Sequence, residues 1–131
     1  MEIEAGLVTF IGTNAPSAGK GYPLTVPQGL AGWAYQRLPN RGETLAHGGK
    51  TGFVRSRFQI TVIGSGDTPY ADAKEKAVAI HDAIHGYKGL MGTVQVEYCR
   101  VQSIDDEWAD AQELPVQRLD IQLNYLVQRG D

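Results

Sequence analysis

Phe53-Val54-Arg55-Ser56-Arg57-Phe58-Gln59-Ile60-Thr61-Val62-Ile63 is the stretch on which the fold turns. Val54, Phe58, Ile60 and Val62 fall on one side of a period of two, and Arg55, Arg57, Gln59 and Thr61 on the other. That alternation predicts a strand with one face on a core and one face open to water or a partner. Residues 116–127 repeat the pattern. Leu119, Ile121, Leu123, Tyr125 and Val127 alternate with Arg118, Asp120, Gln122 and Asn124. Shorter strands are expected at 33–38, where Trp33 and Tyr35 share a face, and at 94–104, where the phase slips near Tyr98-Cys99 and predicts a bulge or strand end.

Between these strands lies one secure helix. Asp67 or Thr68 can cap it, Pro69 suits its first turn, and Gly86 suits its left-handed stop. Tyr70, Ala73, Ala77, Ile80 and Ile84 form its apolar stripe. An N-terminal helix is expected over 2–14 from Ile3, Leu7, Phe10 and Ile11, weakened by Gly6 and Gly12. The segment Tyr22-Pro23-Leu24-Thr25-Val26-Pro27 reads as extended, and its two prolines confine it to an edge or a covering arm. The expected fold is therefore α+β: a single, mostly antiparallel twisted sheet of about four strands, with an N-terminal helix and a central amphipathic helix packed on one face.

The chain of 131 residues suits one domain, 1–131. Two irregular stretches stand out within it, a long glycine-rich hairpin loop at 39–52 and an acidic connector at 105–115. Glycine supplies 16 of the 131 residues, well above the usual ~7%. Asp and Glu total 15 against 12 Lys and Arg, a formal charge of −3, which disfavours general binding to a phosphate backbone. The single cysteine, Cys99, excludes an internal disulfide framework. No apolar run approaches a membrane span, and the acidic N-terminus is unlike a secretory signal. The expectation is a soluble protein made in a cytoplasm, with no membrane partner.

Catalytic patterns are tested in turn and most fail. Gly48-Gly49-Lys50-Thr51 hints at a phosphate loop, but Thr44 stands where the first glycine is required, and a strand follows where a helix is needed. His81 and His85 have the i, i+4 spacing of half a zinc site, and His47 or a carboxylate would have to complete it. The metalloprotease glutamate is absent, because Asp82 follows His81. Cys99 in an apolar strand reads as a small core residue. Arg129-Gly130-Asp131 spells an adhesion tripeptide by chance. No catalysis, cofactor or resident metal is expected. One electrostatic pattern survives. Arg37, Arg41, Lys50, Arg55 and Arg57 gather on the hairpin and its strands, while Asp105, Asp106, Glu107 and Asp110 surround the large apolar Trp108. In a head-to-tail ring each acidic loop would meet a neighbour's basic hairpin.

Several segments, taken in order, resemble one family. Tyr22-Pro23-Leu24-Thr25-Val26-Pro27-Gln28-Gly29 resembles the Tyr-Pro-Leu-x-x-Pro-Gln segment of the tail-completion proteins of long-tailed bacteriophages and prophages. Trp33-Ala34-Tyr35-Gln36-Arg37 is similar to their next strand, and Phe53 to Val62 to their Arg-x-Gln-Ile-Asp-Val strand, with Thr61 where an acid is usual. Tyr70-Ala71-Asp72-Ala73, His85-Gly86-Tyr87-Lys88-Gly89 and Arg118-Leu119-Asp120-Ile121-Gln122-Leu123 resemble the family's helix start, helix end and last strand. The resemblance implies a tail-terminator or tail-to-head joining protein that caps the head-proximal end of the tail tube. It implies a non-catalytic subunit of a ring, most simply a hexamer, located in the tail-neck region of the virion and in host cytoplasm during assembly. The implied partners are other copies of itself, the tail tube protein and the head-tail connector or neck proteins. DNA would pass through the lumen without specific binding. Two alternatives remain: another neck or head-completion adaptor, and, from a different class, a small metal-dependent enzyme using His81, His85 and His47.

Overall fold

The computed structural model describes residues 3–27, 30–38, 51–64, 67–92, 94–109 and 114–128, without the side chains of 51–53, 109, 127 and 128. The elements in chain order are α1 (Ile3–Asn14), a 3-10 turn (Pro16–Ala18), β1 (Gly21–Pro23), β2 (Gly32–Leu38), β3 (Thr51–Ile63), α2 (Pro69–Ile84), β4 (Gly89–Met91), β5 (Val94–Ala109) and β6 (Leu114–Gln128). The strands make one six-stranded sheet in the order β1-β2-β3-β6-β5-β4. β1 lies parallel to β2, and every other neighbour pair is antiparallel.

This corrects the expected fold. The α+β arrangement with about four strands gives way to a mostly-sheet structure whose six strands curl into a half-barrel, with two α-helices among the described residues. The added strands are three residues each and sit at the two edges. A three-residue strand has no alternation to read, and Pro23 at the rim of β1 obeys the rule that proline in a sheet stays at an edge. The covering-arm reading holds for the residues that follow. Val26 is buried with Ala34, Ile63 and Val116, beside Tyr22 and Leu114, as a small apolar cluster. Ala34 and Val116 alternate with the inward Trp33 and Gln117, so that cluster covers the outer side of the sheet at one end.

The main core lies on the inner side. Trp33, Phe58, Ile60, Val62, Leu119, Ile121 and Leu123 from the sheet meet Ala73, Ala77, Ile80 and Ile84 of α2 and Ile3, Leu7 and Ile11 of α1. Small residues at 73 and 77 let α2 approach the strands closely. Gly6 has a comparable role in α1. A Cβ there would strike the carbonyl of Met91, so the residue that weakens the helix by propensity allows it to lie on β4. α2 starts with Pro69 at its first turn and Thr68 at the cap position, with no side-chain capping bond from Thr68. It stops where Gly86 takes φ +79°. β5 bulges between Val96 and Tyr98, as its sequence phase suggests, and again between Val101 and Ser103.

The 105–115 stretch is not a connector throughout. β5 runs on through Asp105, Asp106, Glu107 and Trp108 to Ala109, paired with β6 as far as Leu114. Only residues 110–113 separate the two strands, and they lie outside the described residues.

Candidate functional site: the projecting end of the β5–β6 hairpin

The second bulge decides what this arm presents. It inserts one residue between Val101 and Ser103, so parity shifts, and Ile104, Asp106 and Trp108 stand opposite Leu119, Gln117 and Pro115. All three therefore face the inner side. Helix cover ends here: Tyr70, in the first turn of α2, is itself exposed, and it donates from its hydroxyl to Asp106 Oδ2 at 3.0 Å. Gln117 Nε2 donates to Asp106 Oδ1 at 2.7 Å. These two hydrogen bonds, that of Gln117 foremost, hold the Asp106 carboxyl below its ordinary range, with a smaller contribution from Lys74. Around this fixed carboxylate lie Trp108, 59% exposed, and Ile104, 37% exposed. The result is an apolar strip of Tyr70, Ile104 and Trp108 with one negative charge in its middle.

The outer side of the same arm carries Asp105 and Glu107. Glu107 pairs with Arg118 Nη1 at 2.7 Å, and Arg118 also approaches Asp120 at 3.5 Å. Part of the acidic run is thus neutralised within the subunit, by an arginine of β6.

The expected basic cluster divides between the two faces. Arg37 turns inward at the far rim of the core. Its Nη2 donates to Ser56 Oγ at 2.8 Å and to Tyr125 Oη at 3.1 Å, and its Nη1 lies 4.0 Å from Glu4. Ser56 and Tyr125 share a further 2.8 Å hydrogen bond. Arg37 therefore satisfies a buried hydroxyl pair and closes the core. Arg55 and Arg57 lie on the outer side of β3, where the register sets Arg57 beside Gln122 and Gln122 beside Arg100. Arg41, Lys50 and Asp110 lie outside the described residues.

Tyr70 and Arg118 count in the sequence as parts of the helix stripe and the polar strand face but not as site residues, and neither Gln117 nor Arg100 is singled out there. Gln117 carried a usable signal, because it sits at an inward position of a strand whose other inward residues are apolar.

The histidines of the metal reading occupy a different place. The rings of His81 and His85 stack, with centroids 4.8 Å apart. His85 Nδ1 accepts the backbone N–H of Val101 at 3.1 Å, which places the proton of a neutral ring on Nε2. Such a ring presents no lone pair to a metal at Nε2 without breaking the bond to Val101. His81 Nδ1 lies 3.1 Å from Asp82 Oδ1. Among the described residues no three His, Cys, Asp or Glu side chains gather in a metal-binding group, and His47 lies outside them. Cys99 is fully buried, and burial pushes its thiol up to about 12. No helix among the described residues is long and apolar enough to cross a membrane.

No protein-family model matches the chain, and no curated protein matches it. Among solved structures, it is similar in fold to a chain of a structure described as the virion of a native gene transfer agent particle. The TM-score is 0.59 at 19% sequence identity, and the match covers 92% of this chain and 84% of the other.

Proposed function

We propose that this protein is a structural component of a phage-like virion, and within it a ring-forming subunit that caps the head-proximal end of the tail tube and joins tail to head. The observation that carries the coarser reading is the fold shared with a virion chain along 92% of the length. The finer reading draws on the resemblance of six segments to tail-completion proteins. It also draws on the exposed arm, whose apolar strip and acidic residues suit contact between copies. The protein performs no catalysis in this reading. Its partners are further copies of itself, most simply five, the tail tube protein and neck proteins, with DNA passing through the lumen.

A direct test adds the purified protein to purified tail tubes and images labelled protein by electron microscopy. Label at one end of the tubes supports the terminal role. Label along the sides or at neither end removes it. A neck or head-completion adaptor would instead bind head-connector particles in the same assay. The metal-enzyme alternative is weakened by the use of His85 Nδ1 as an acceptor for Val101. Stoichiometric zinc in purified protein, by elemental analysis, would restore it.

A further inference from the structure

The outer face of the sheet is divided by charge along its strands, which the ring reading does not by itself require. At one end the cross-strand row Leu38, Arg57, Gln122, Arg100 runs from β2 to β5, and the next row ends on Tyr98. With strands ~4.8 Å apart, the Cα atoms of Arg57 and Arg100 stand about 10 Å apart, on either side of Gln122. Both arginines are exposed, and neither makes a hydrogen bond or ion pair among the described residues. The amides between them occupy one another: Gln102 Nε2 donates to Gln122 Oε1 at 3.2 Å, and Gln122 Nε2 to Asn124 Oδ1 at 3.3 Å. The nearest carboxylates by register are engaged elsewhere, Asp120 by Arg118 and Ser103, Glu97 by Lys88. The result is a basic patch with no acid paired to it and an exposed aromatic ring, Tyr98, at its margin. The arm at the other end has the opposite character. Asp106 accepts from Gln117 and Tyr70, neutral donors that hold its carboxylate without cancelling the charge, and Ile104 and Trp108 flank it. Arm and patch cannot meet within one subunit. Both belong to the paired strand β5, and their rows lie at Gln117 and Gln122 of β6, five residues or about 17 Å apart.

We propose that the inner strip of one copy's arm docks on this basic patch of the next copy, with Asp106 between Arg57 and Arg100 and Trp108 against Tyr98. The inference rests on the ring reading for the presence of a second copy, and it deepens that reading by naming the receiving surface. Charge and shape select the pairing. Arm on arm would set Asp106 against Asp106, and patch on patch would set arginine against arginine, both repulsive. The sheet curls, so an inner strip on an outer face is a concave surface on a convex one. A polyanion such as nucleic acid would engage the arginines but leave Ile104 and Trp108 exposed, and the chain's net charge of −3 opposes it. The neighbour's arm covers both unpartnered surfaces in one contact. Such a contact joins two different patches and is heterologous, so its closed product is a ring rather than a two-fold dimer.

The test cross-links the full chain at a concentration where the parent assembles, with native mass measured in parallel. Cys99 is buried and its thiol is pushed up to about 12, so it does not compete for a thiol reagent at neutral pH. Glu107→Cys marks the arm beside Trp108, and Gln122→Cys marks the patch between the two arginines. A flexible bismaleimide should join the two variants when mixed and should join neither to itself. Cross-links within one variant as strong as in the mixture would overturn the proposal. So would a mixture without cross-links while the parent assembles, and both outcomes leave the ring reading standing. A charge series gives the second readout. Arg57→Glu with Arg100→Glu should raise the concentration for half-assembly by roughly thirtyfold or more, whereas Arg57→Lys with Arg100→Lys should stay within about tenfold of the parent. If the glutamate pair assembles as the parent does but loses binding to a short DNA duplex that the parent holds, the patch serves a phosphate backbone and the proposal fails. A parent mass of one subunit at every concentration removes the second copy as occupant and the self-association of the ring reading with it. Should the glutamate pair fail to fold by circular dichroism, the cross-linking decides.

Discussion

β5 and β6 are one hairpin with two different lives. In its first half Val96, Cys99, Val101, Ile121, Leu123 and Tyr125 point inward and are buried. In its second half Ile104, Asp106 and Trp108 also point inward, yet all three are exposed. The strands, pairing and alternation are continuous across the boundary. The difference is what stands opposite: α2 covers the first half, and its first turn ends the cover at Tyr70. Alternation fixes which way a side chain points, whereas burial is set by what the rest of the chain brings to that side.

The comparison can be broken most severely from the covered side. Trp33→Ala empties the core between the sheet and the 3-10 turn, where Trp33 Nε1 donates to the Gly19 carbonyl at 3.2 Å. It should lower unfolding free energy by about 3–5 kcal/mol in urea titrations. A loss below about 1 kcal/mol would show that the core is not where it is described. Tyr125→Phe acts at the core's far rim and leaves the Ser56 hydroxyl and Arg37 one partner fewer. The expected loss is about 1–2 kcal/mol by the same measurement.

On the uncovered side the sign of the comparison reverses. Trp108→Ala should leave monomer stability within about 0.5 kcal/mol and its circular dichroism unchanged, while weakening association of subunits. Loss of the helix and sheet signature in that variant would mean that Trp108 belongs to the fold after all. The smallest effect concerns Asp106. Its folded carboxyl titrates below the ordinary 3.8 because Gln117 and Tyr70 donate to it. A depressed folded value stabilises the native state fully above the unfolded value, and that stabilisation is lost as pH falls through the folded value. Asp106→Asn should therefore show a smaller drop in urea midpoint between pH 6 and strongly acidic solution than the parent chain. An identical drop would mean that the hydrogen bonds do not hold the carboxylate.

The long elements were legible because each pairs a strong period with one buried side. The helix expected from Pro69 to His85 is Pro69–Ile84, and the strand expected over 53–63 is Thr51–Ile63. Ala73, Ala77, Ile80 and Ile84 of the expected stripe are buried, while Tyr70 stands at the open end. What the sequence hid has two causes. β1 and β4 are too short to have a period, so only their neighbours define them. The outer half of β5 is solvated on both sides, so its acids reveal no alternation, and the bulge at Gln102 resets the phase just before it. The charge pattern was legible, but its division between faces was not. Arg37 shares the inward parity of Trp33 and Tyr35, and there it meets Ser56, a small polar residue on an otherwise apolar inward row. Leu24 belongs to the same hidden class. It is 71% exposed at φ +67° in a γ-turn closed by Thr25 N–H on the Pro23 carbonyl, a strained position for leucine that no composition signal marks.

The central claim is that the uncovered end of the hairpin joins subunits while the covered end makes the fold. Its most direct test is native mass by light scattering across protein concentration, at low and high salt, for the parent chain and Trp108→Ala. The expected result is a parent mass rising from 14.2 kDa towards six times that value, falling as salt screens the charged contacts, with the variant remaining at one subunit. A parent chain at 14.2 kDa at every concentration and both salts, or a variant that assembles as the parent does, would contradict it.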